Sequence, residues 1–72
     1  MTQIELEAAL DSGKLECRMS NGKWWKARRN GQTRTSKMVH GWFEVPCKIG
    51  FNKYMTLTQL DANKEPSDLR IV

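Results

Sequence analysis

The strongest signals for the fold of this 72-residue chain lie in residues 17–32, which read CRMSNGKWWKARRNGQ. An Asn-Gly pair between strand-like runs is typical of a two-residue type I′ turn, because both central residues of that turn need positive φ. The stretch contains two such pairs, Asn21-Gly22 and Asn30-Gly31. Their spacing predicts a three-stranded antiparallel meander over Leu15–Ser20, Lys23–Arg29 and Gln32–Met38.

A short helix is predicted before the meander. Thr2 and Glu5 have the spacing of a capping box, in which the hydroxyl and the carboxylate satisfy free amides at a helix start. Gly13 stands where a helix usually ends in a left-handed residue. These signals predict a helix over residues 3–11, too short to be stable unless its apolar face packs on the sheet.

Further strands are predicted after the meander. Trp42–Ile49 forms a fourth strand, in which Pro46 indicates a bulge or an edge, and Phe51–Leu57 forms a fifth. A helical turn is expected around Gln59–Ala62, and Leu69–Val72 could add a final short strand. The prediction is one α+β, mostly β domain over residues 1–72, with a short N-terminal helix packed on a twisted antiparallel meander of four or five strands. The expected core consists of Ile4, Leu10, Leu15, Cys17, Met19, Trp24, Phe43, Val45, Cys47, Ile49 and Met55.

The positive charge is concentrated in the middle of the chain. Twelve Lys and Arg against eight Asp and Glu give a formal net charge of +4. Between Cys17 and Lys53, however, nine bases face only Glu44. A basic segment between acidic ends suits an anionic partner.

Hairpin register decides where these bases point. A two-residue first turn pairs Met19 with Trp24 and Arg18 with Trp25, and directly opposed residues share a face of the sheet. One face then carries Arg18, Trp25, Ala27, Arg29, Arg34 and Ser36, with Trp25 at least partly exposed. The alternative is a solvated face on which Arg18 covers Trp25 in a cation–π contact.

A basic sheet face with an exposed aromatic favours nucleic-acid binding, since cations neutralise phosphates and a ring can stack on a base. The prediction is a non-enzymatic nucleic-acid-binding module, with DNA favoured over RNA. The binding residues are expected to be Arg18, Trp25, Lys26, Arg28, Arg29, Arg34 and Lys37.

Other classes of function find little support in the sequence. No apolar run approaches the length of a membrane span, and the acidic, amphipathic N-terminus is not typical of a signal peptide, so a cytoplasmic protein is expected. Cys17 and Cys47 are thirty residues apart beside a single His40, which predicts buried thiols, no metal site and no cofactor. No acid–base or nucleophile constellation indicates an enzyme.

Residues 23–32, KWWKARRNGQ, resemble the stretch of SH3 domains in which a Trp pair opens a strand and an Asn-Gly turn closes it. The resemblance implies a small SH3-like barrel, partly closed, and assigns Trp24 to the groove that binds proline-rich peptides in that family. The flanking segments typical of SH3 domains are missing.

The whole chain is also similar in style to small accessory proteins of enterobacterial phages and prophages. That similarity implies a regulator in the host cytoplasm or a modulator of a host enzyme. The alternative function is therefore a protein-interaction module, such as a phage-encoded inhibitor or adaptor of a host protein, using the same patch. The chain is expected to be a monomer, or a weak homodimer formed through an uncovered strand edge.

Overall fold

A computed structural model describes residues 1–72 and confirms an α+β, mostly β architecture. Two helices and six strands follow one another along the chain. They are α1 (Gln3–Asp11), β1 (Leu15–Arg18), β2 (Trp24–Arg29), β3 (Arg34–Thr35), β4 (Phe43–Ile49), β5 (Lys53–Thr58), α2 (Gln59–Asn63) and β6 (Leu69–Ile71).

Helix α1 begins and ends where the sequence predicts. The Thr2 hydroxyl accepts the amide of Glu5 at 3.1 Å, and the Glu5 carboxylate accepts the amide of Thr2 at 3.0 Å. Gly13 follows the helix at φ +71°, and the amide of Lys14 donates to the carbonyl of Ala9. The helix thus has satisfied groups at both ends, which compensates for its short length.

The first hairpin forms, but its register differs by one residue from the prediction. Arg18 lies opposite Trp24, and Cys17 lies opposite Trp25. Only Gly22 has positive φ in this turn, and the amide of Met19 donates to the carbonyl of Lys23. The loop therefore has three residues, whereas a type I′ turn would have two. A shift of one residue exchanges the faces of the strand, so Trp24 joins Arg18 on the outer face. The predicted face is therefore wrong, because Trp25 and Ala27 lie on the opposite face with the buried Cys17.

The second Asn-Gly pair does not form a hairpin, and the predicted meander is wrong at this point. Strand β2 pairs with β4, where Ala27 lies opposite Ile49. Strand β3 pairs with the beginning of β4 and not with β2. The amide of Asn30 donates to the carbonyl of Pro46, so a non-local contact replaces the local turn.

Strand β4 organises the sheet, because it pairs with β2, β3 and β5. Pro46 lies between the segments of β4 that pair with β3 and with β2. The carbonyl of Pro46 accepts the amide of Asn30 on this side of β4. In an antiparallel strand the N–H of a residue points to the same side as its C=O, so the N–H that proline lacks would also point into this gap. No residue of β2 or β3 is paired with Pro46 there, and no ladder hydrogen bond is lost. The proline thus occupies a strand paired on both sides. The remaining order is β2-β1-β6, and the six-stranded sheet is not a closed barrel.

The core contains most of the predicted residues, with two corrections. Ile4 is 81% exposed, because α1 turns Leu6, Ala9 and Leu10 inward instead. Trp24 lies on the outer face, whereas Met19 and Met55 pack partly buried against the core. The core consists of 13 buried residues, which are Leu6, Ala9, Leu10, Leu15, Cys17, Ala27, Phe43, Val45, Cys47, Ile49, Leu57, Ala62 and Leu69.

Both cysteines are free and buried in this core, as predicted. Burial raises the pKa of the Cys47 thiol to about 11 and also raises the pKa of Cys17. Because the thiolate is the reactive form, both side chains are protected by desolvation as well as by lack of access.

We expect iodoacetamide at pH 8 to alkylate the folded protein at least about 100-fold more slowly than the urea-unfolded chain, because the thiolate is both scarce and inaccessible. Mass spectrometry at timed intervals measures the rate. A Ser20→Cys variant is the control, since position 20 is exposed and its thiol should react at once. Rapid labelling of Cys17 or Cys47 in the folded protein would contradict the buried placement.

Candidate nucleic-acid interface

The structure separates the predicted binding residues into ion-paired and unpaired groups. Arg18 belongs to the first group, because its guanidinium contacts Asp68 at 2.7 Å. It also lies 5.7 Å from the ring centre of Trp24, and Arg70 lies 4.3 Å from the same ring. The cation–π partner of Arg18 is therefore Trp24, whereas the sequence-based register suggested Trp25.

Arg29 is a structural residue that joins the sheet to α1. Its guanidinium contacts Glu7 at 2.8 Å and Asp11 at 2.9 Å, and its side chain is only 24% exposed. Hydrogen bonding to Asp11 and Glu7 raises the pKa of Arg29, and hydrogen bonds from Thr33 and Arg29 lower the pKa of Glu7 to about 2. With both carboxylates on its guanidinium, Arg29 has little capacity left for a phosphate.

Arg34 and Lys37 lie elsewhere on the molecule. Arg34 pairs with Glu44 at 3.0 Å across the β3–β4 ladder, and this contact lowers the pKa of the Glu44 carboxyl. Lys37 makes no ion pair and borders a shallow depression with Arg34 and Met38. Neither residue lies on the grooves that Trp25 borders.

Trp25 is 39% exposed and is held against the turn between β4 and β5. An added Cβ at Gly50 would lie 2.5 Å from Cε3 of Trp25, so the indole rests directly on the glycine backbone. Gly50 has φ +61°, and its amide donates to the carbonyl of Lys26 at 2.9 Å. The β4–β5 turn is thus tied to β2, and the Trp25 ring has a defined position.

Two shallow grooves meet at this turn, and both are lined by Trp25 and Phe51. The first, about 400 Å³ in volume, is also lined by Lys26, Arg28 and Gly50. The second, about 470 Å³, is also lined by Asn52 and Lys53. We call these seven lining residues the hairpin surface: Trp25, Lys26, Arg28, Gly50, Phe51, Asn52 and Lys53.

A row of side chains adjoins the hairpin surface on the outer face of the sheet. Arg28 lies opposite Lys48, and Lys48 lies opposite Tyr54 on the next strand. The Lys48 ammonium is 5.7 Å from the centre of the exposed Tyr54 ring. This row extends the basic and aromatic character of the hairpin surface across three strands.

The cations at the hairpin surface have no carboxylate partners. Five of the twelve Lys and Arg side chains form ion pairs, and all five lie elsewhere: Arg18, Arg29, Arg34, Lys64 and Arg70. Lys26, Arg28, Lys48 and Lys53 form none. The Lys26 ammonium extends toward Gly13, within 3.3 Å of where a Cβ would stand. No acidic residue lines either groove.

Of the residues at the hairpin surface and in the adjoining row, the sequence predicted Trp25, Lys26 and Arg28 as binding residues but not Phe51, Lys53, Lys48 or Tyr54. The missed signal lies in Gly50-Phe51-Asn52, where an aromatic stands between two turn-forming residues. An aromatic in a tight turn cannot reach the core easily, and Phe51 is 86% exposed. Assigning Phe51 to a strand concealed this exposure.

A scan against protein-family models, a search of curated proteins and a search of solved structures each found no match to this chain. No helix is long and apolar enough to cross a membrane. No group of three or more His, Cys, Asp or Glu side chains could hold a metal ion.

Proposed function

We propose that this protein binds nucleic acid through the hairpin surface, with DNA as the first ligand to test. The observation that carries the proposal is the gathering of unpaired cations and exposed aromatic side chains at one turn. Arg28 and Lys53 supply charge on either side of Phe51. Phosphates bind such cations without sequence preference, and the rings offer apolar faces to bases or sugars.

The arrangement of the other charges supports the same assignment. Arg18, Arg29 and Arg34 are each held by a carboxylate within the protein, so a phosphate would have to compete with an existing partner. An unpaired surface cation binds a phosphate without losing such a contact. The proposed site therefore retains Trp25, Lys26 and Arg28 and adds neighbours from the β4–β5 hairpin.

We expect binding to weaken steeply with salt. If up to four phosphates are neutralised by Lys26, Arg28, Lys48 and Lys53, log K should fall with log salt with a slope of about −2.8 for a single strand to −3.6 for a duplex. Affinity for a DNA oligonucleotide should then drop roughly 50- to 150-fold between 50 and 200 mM NaCl. Fluorescence anisotropy of a labelled 20-mer measures this, and a flat salt dependence would contradict the proposal.

We expect the double variant Arg28→Gln plus Lys53→Gln to bind the same oligonucleotide about 10-fold more weakly at 100 mM NaCl, because it removes one cation from each groove. Lys14→Gln plus Lys23→Gln is the matched control, since it removes two cations that likewise form no ion pair and lie outside the hairpin surface. Equal losses of affinity in the two double variants would mean that binding depends only on the net charge of the protein, and the assigned surface would be wrong.

A protein-interaction module is the second candidate, because several large apolar side chains lie in solvent. Met38 is 93% exposed, and Ile4 on the outer side of α1 is nearly as open. An interaction of this kind would resist salt and nuclease treatment, whereas nucleic-acid binding would not. The salt titration above distinguishes the two candidates, because a protein-interaction module would not bind the oligonucleotide even at low salt.

A further inference from the structure

We infer that the preferred ligand of the hairpin surface is a single strand, with a base stacked on Phe51. The inference rests on the proposed function and specifies the state of the nucleic acid. It starts from the exposed ring of Phe51, which lies in the β4–β5 turn and contributes nothing to the core. An exposed ring on a fixed turn is suited to stacking, because little conformational entropy is lost when a base covers it.

The turn that carries Phe51 is held from two sides. Gly50 donates to the carbonyl of Lys26 on β2, and the Trp25 indole lies on the Gly50 backbone. These contacts fix the backbone next to Phe51. Trp25 stays partly exposed beside it and offers a second aromatic surface.

The two grooves give a strand a path past the rings. Phe51 and Trp25 line both grooves, with Arg28 on one side and Lys53 on the other. A flexible chain of phosphates can contact a cation in each groove and place a base on the aromatic surface between them. This geometry combines the two elements of unspecific single-strand binding, which are a basic track and a stacking platform.

A duplex cannot use the same platform without being opened. Its bases are stacked and paired inside, so Phe51 would meet only sugars, phosphates or groove edges. The β4–β5 hairpin could enter a major groove, but Phe51 would there contact only the edges of paired bases. Charge would still attract a duplex, but stacking would favour the single strand.

The test compares a labelled 12-mer DNA of mixed sequence with the duplex that it forms with its complement, by fluorescence anisotropy at 100 mM NaCl. We expect the single strand to bind at least 5-fold more tightly than the duplex. Phe51→Ala should weaken single-strand binding about 10-fold, within the range measured for base–aromatic stacking, and change duplex binding less than 2-fold. Phe51→Trp should retain single-strand affinity.

Met38→Ala is the matched control, since it removes an apolar side chain that is as exposed as Phe51 but lies outside the hairpin surface. Circular dichroism checks that each variant is folded. Salt-dependent binding that is equal for strand and duplex and insensitive to Phe51→Ala would overturn this inference and leave the proposed function standing. Absence of binding to both DNAs at low salt would overturn the two together.

Discussion

Replacing Gly50 by Ala should lower the free energy of unfolding by about 3 kcal/mol. Two costs combine at this position. An L-residue at φ +61° costs about 1 to 2 kcal/mol, and the added methyl would lie 2.5 Å from Cε3 of Trp25, so the indole or the turn must move. For a chain of this size the loss is a large fraction of total stability. Urea unfolding followed by far-UV circular dichroism measures the change.

Gly22→Ala separates the two costs. Gly22 has φ +84°, but nothing lies within 4 Å of an added Cβ. This control should lose only about 1 to 2 kcal/mol, the cost of the backbone conformation alone. Gly50→Ala should also shift the tryptophan emission, because Trp25 loses its support, whereas Gly22→Ala should not. Equal losses without a spectral shift would show that Trp25 does not rest on Gly50 in solution.

Replacing Arg29 by Gln should lower the free energy of unfolding by about 2 to 3 kcal/mol at pH 7. Arg29 forms the only ion pairs between α1 and the sheet, with Glu7 and Asp11. Its replacement leaves the partly buried Glu7 carboxylate without a cation. Arg34→Gln is the matched control, because the Arg34 side chain is 56% exposed against 24% for Arg29, so its loss should destabilise the fold much less. Similar losses in both variants would contradict a structural role for Arg29.

The same cluster predicts how stability depends on pH. The pKa of Glu7 is lowered from 4.5 to about 2, first by the hydrogen bond from Thr33 and then by Arg29. A carboxyl whose pKa is lower in the folded state stabilises the fold above its unfolded pKa, and this contribution is lost as the pH falls from about 4.5 to 2. Acid should therefore weaken the attachment of α1.

A Glu7→Gln variant tests the pH dependence directly. At pH 7 it should be about 1 to 2 kcal/mol less stable than the parent, a value reduced for solvent screening. The difference should shrink as the pH falls from about 4.5 to 2, because the Glu7 carboxylate of the parent is then increasingly protonated. Glu65→Gln is the control for the change in net charge, since it removes a carboxylate at an exposed position with no ion pair. A difference independent of pH would contradict the assigned Glu7 contacts.

Local signals in the sequence predicted the secondary structure well. The capping box at Thr2 and Glu5 and the left-handed Gly13 determine α1 through contacts between neighbours in the chain. The alternation in β4 also predicted its buried row, in which Phe43, Val45 and Cys47 face the core. These features depend on backbone geometry and on period-two patterning, which a sequence displays directly.

The site was only partly predictable, because it depends on register and on distant pairing. A loop of three residues at Asn21-Gly22, one longer than expected, moved Trp24 to the outer face beside Arg18. Ion pairing depends on the same geometry. Arg29 meets Glu7 across 22 positions in the chain, and Arg18 meets Asp68 across 50. Nothing local distinguishes these arginines from the unpaired Arg28.

By itself, the sequence determined a small basic domain with a capped helix, the strands and a partly exposed Trp25. Charge, capping and strand alternation are properties of residues and of their near neighbours. Only the tertiary structure decided that β4 pairs with β2, that the carboxylates occupy Arg18, Arg29 and Arg34, and that Phe51 joins Trp25. Those outcomes follow from non-local hydrogen bonds and core packing, in which one residue of register exchanges the faces of a strand.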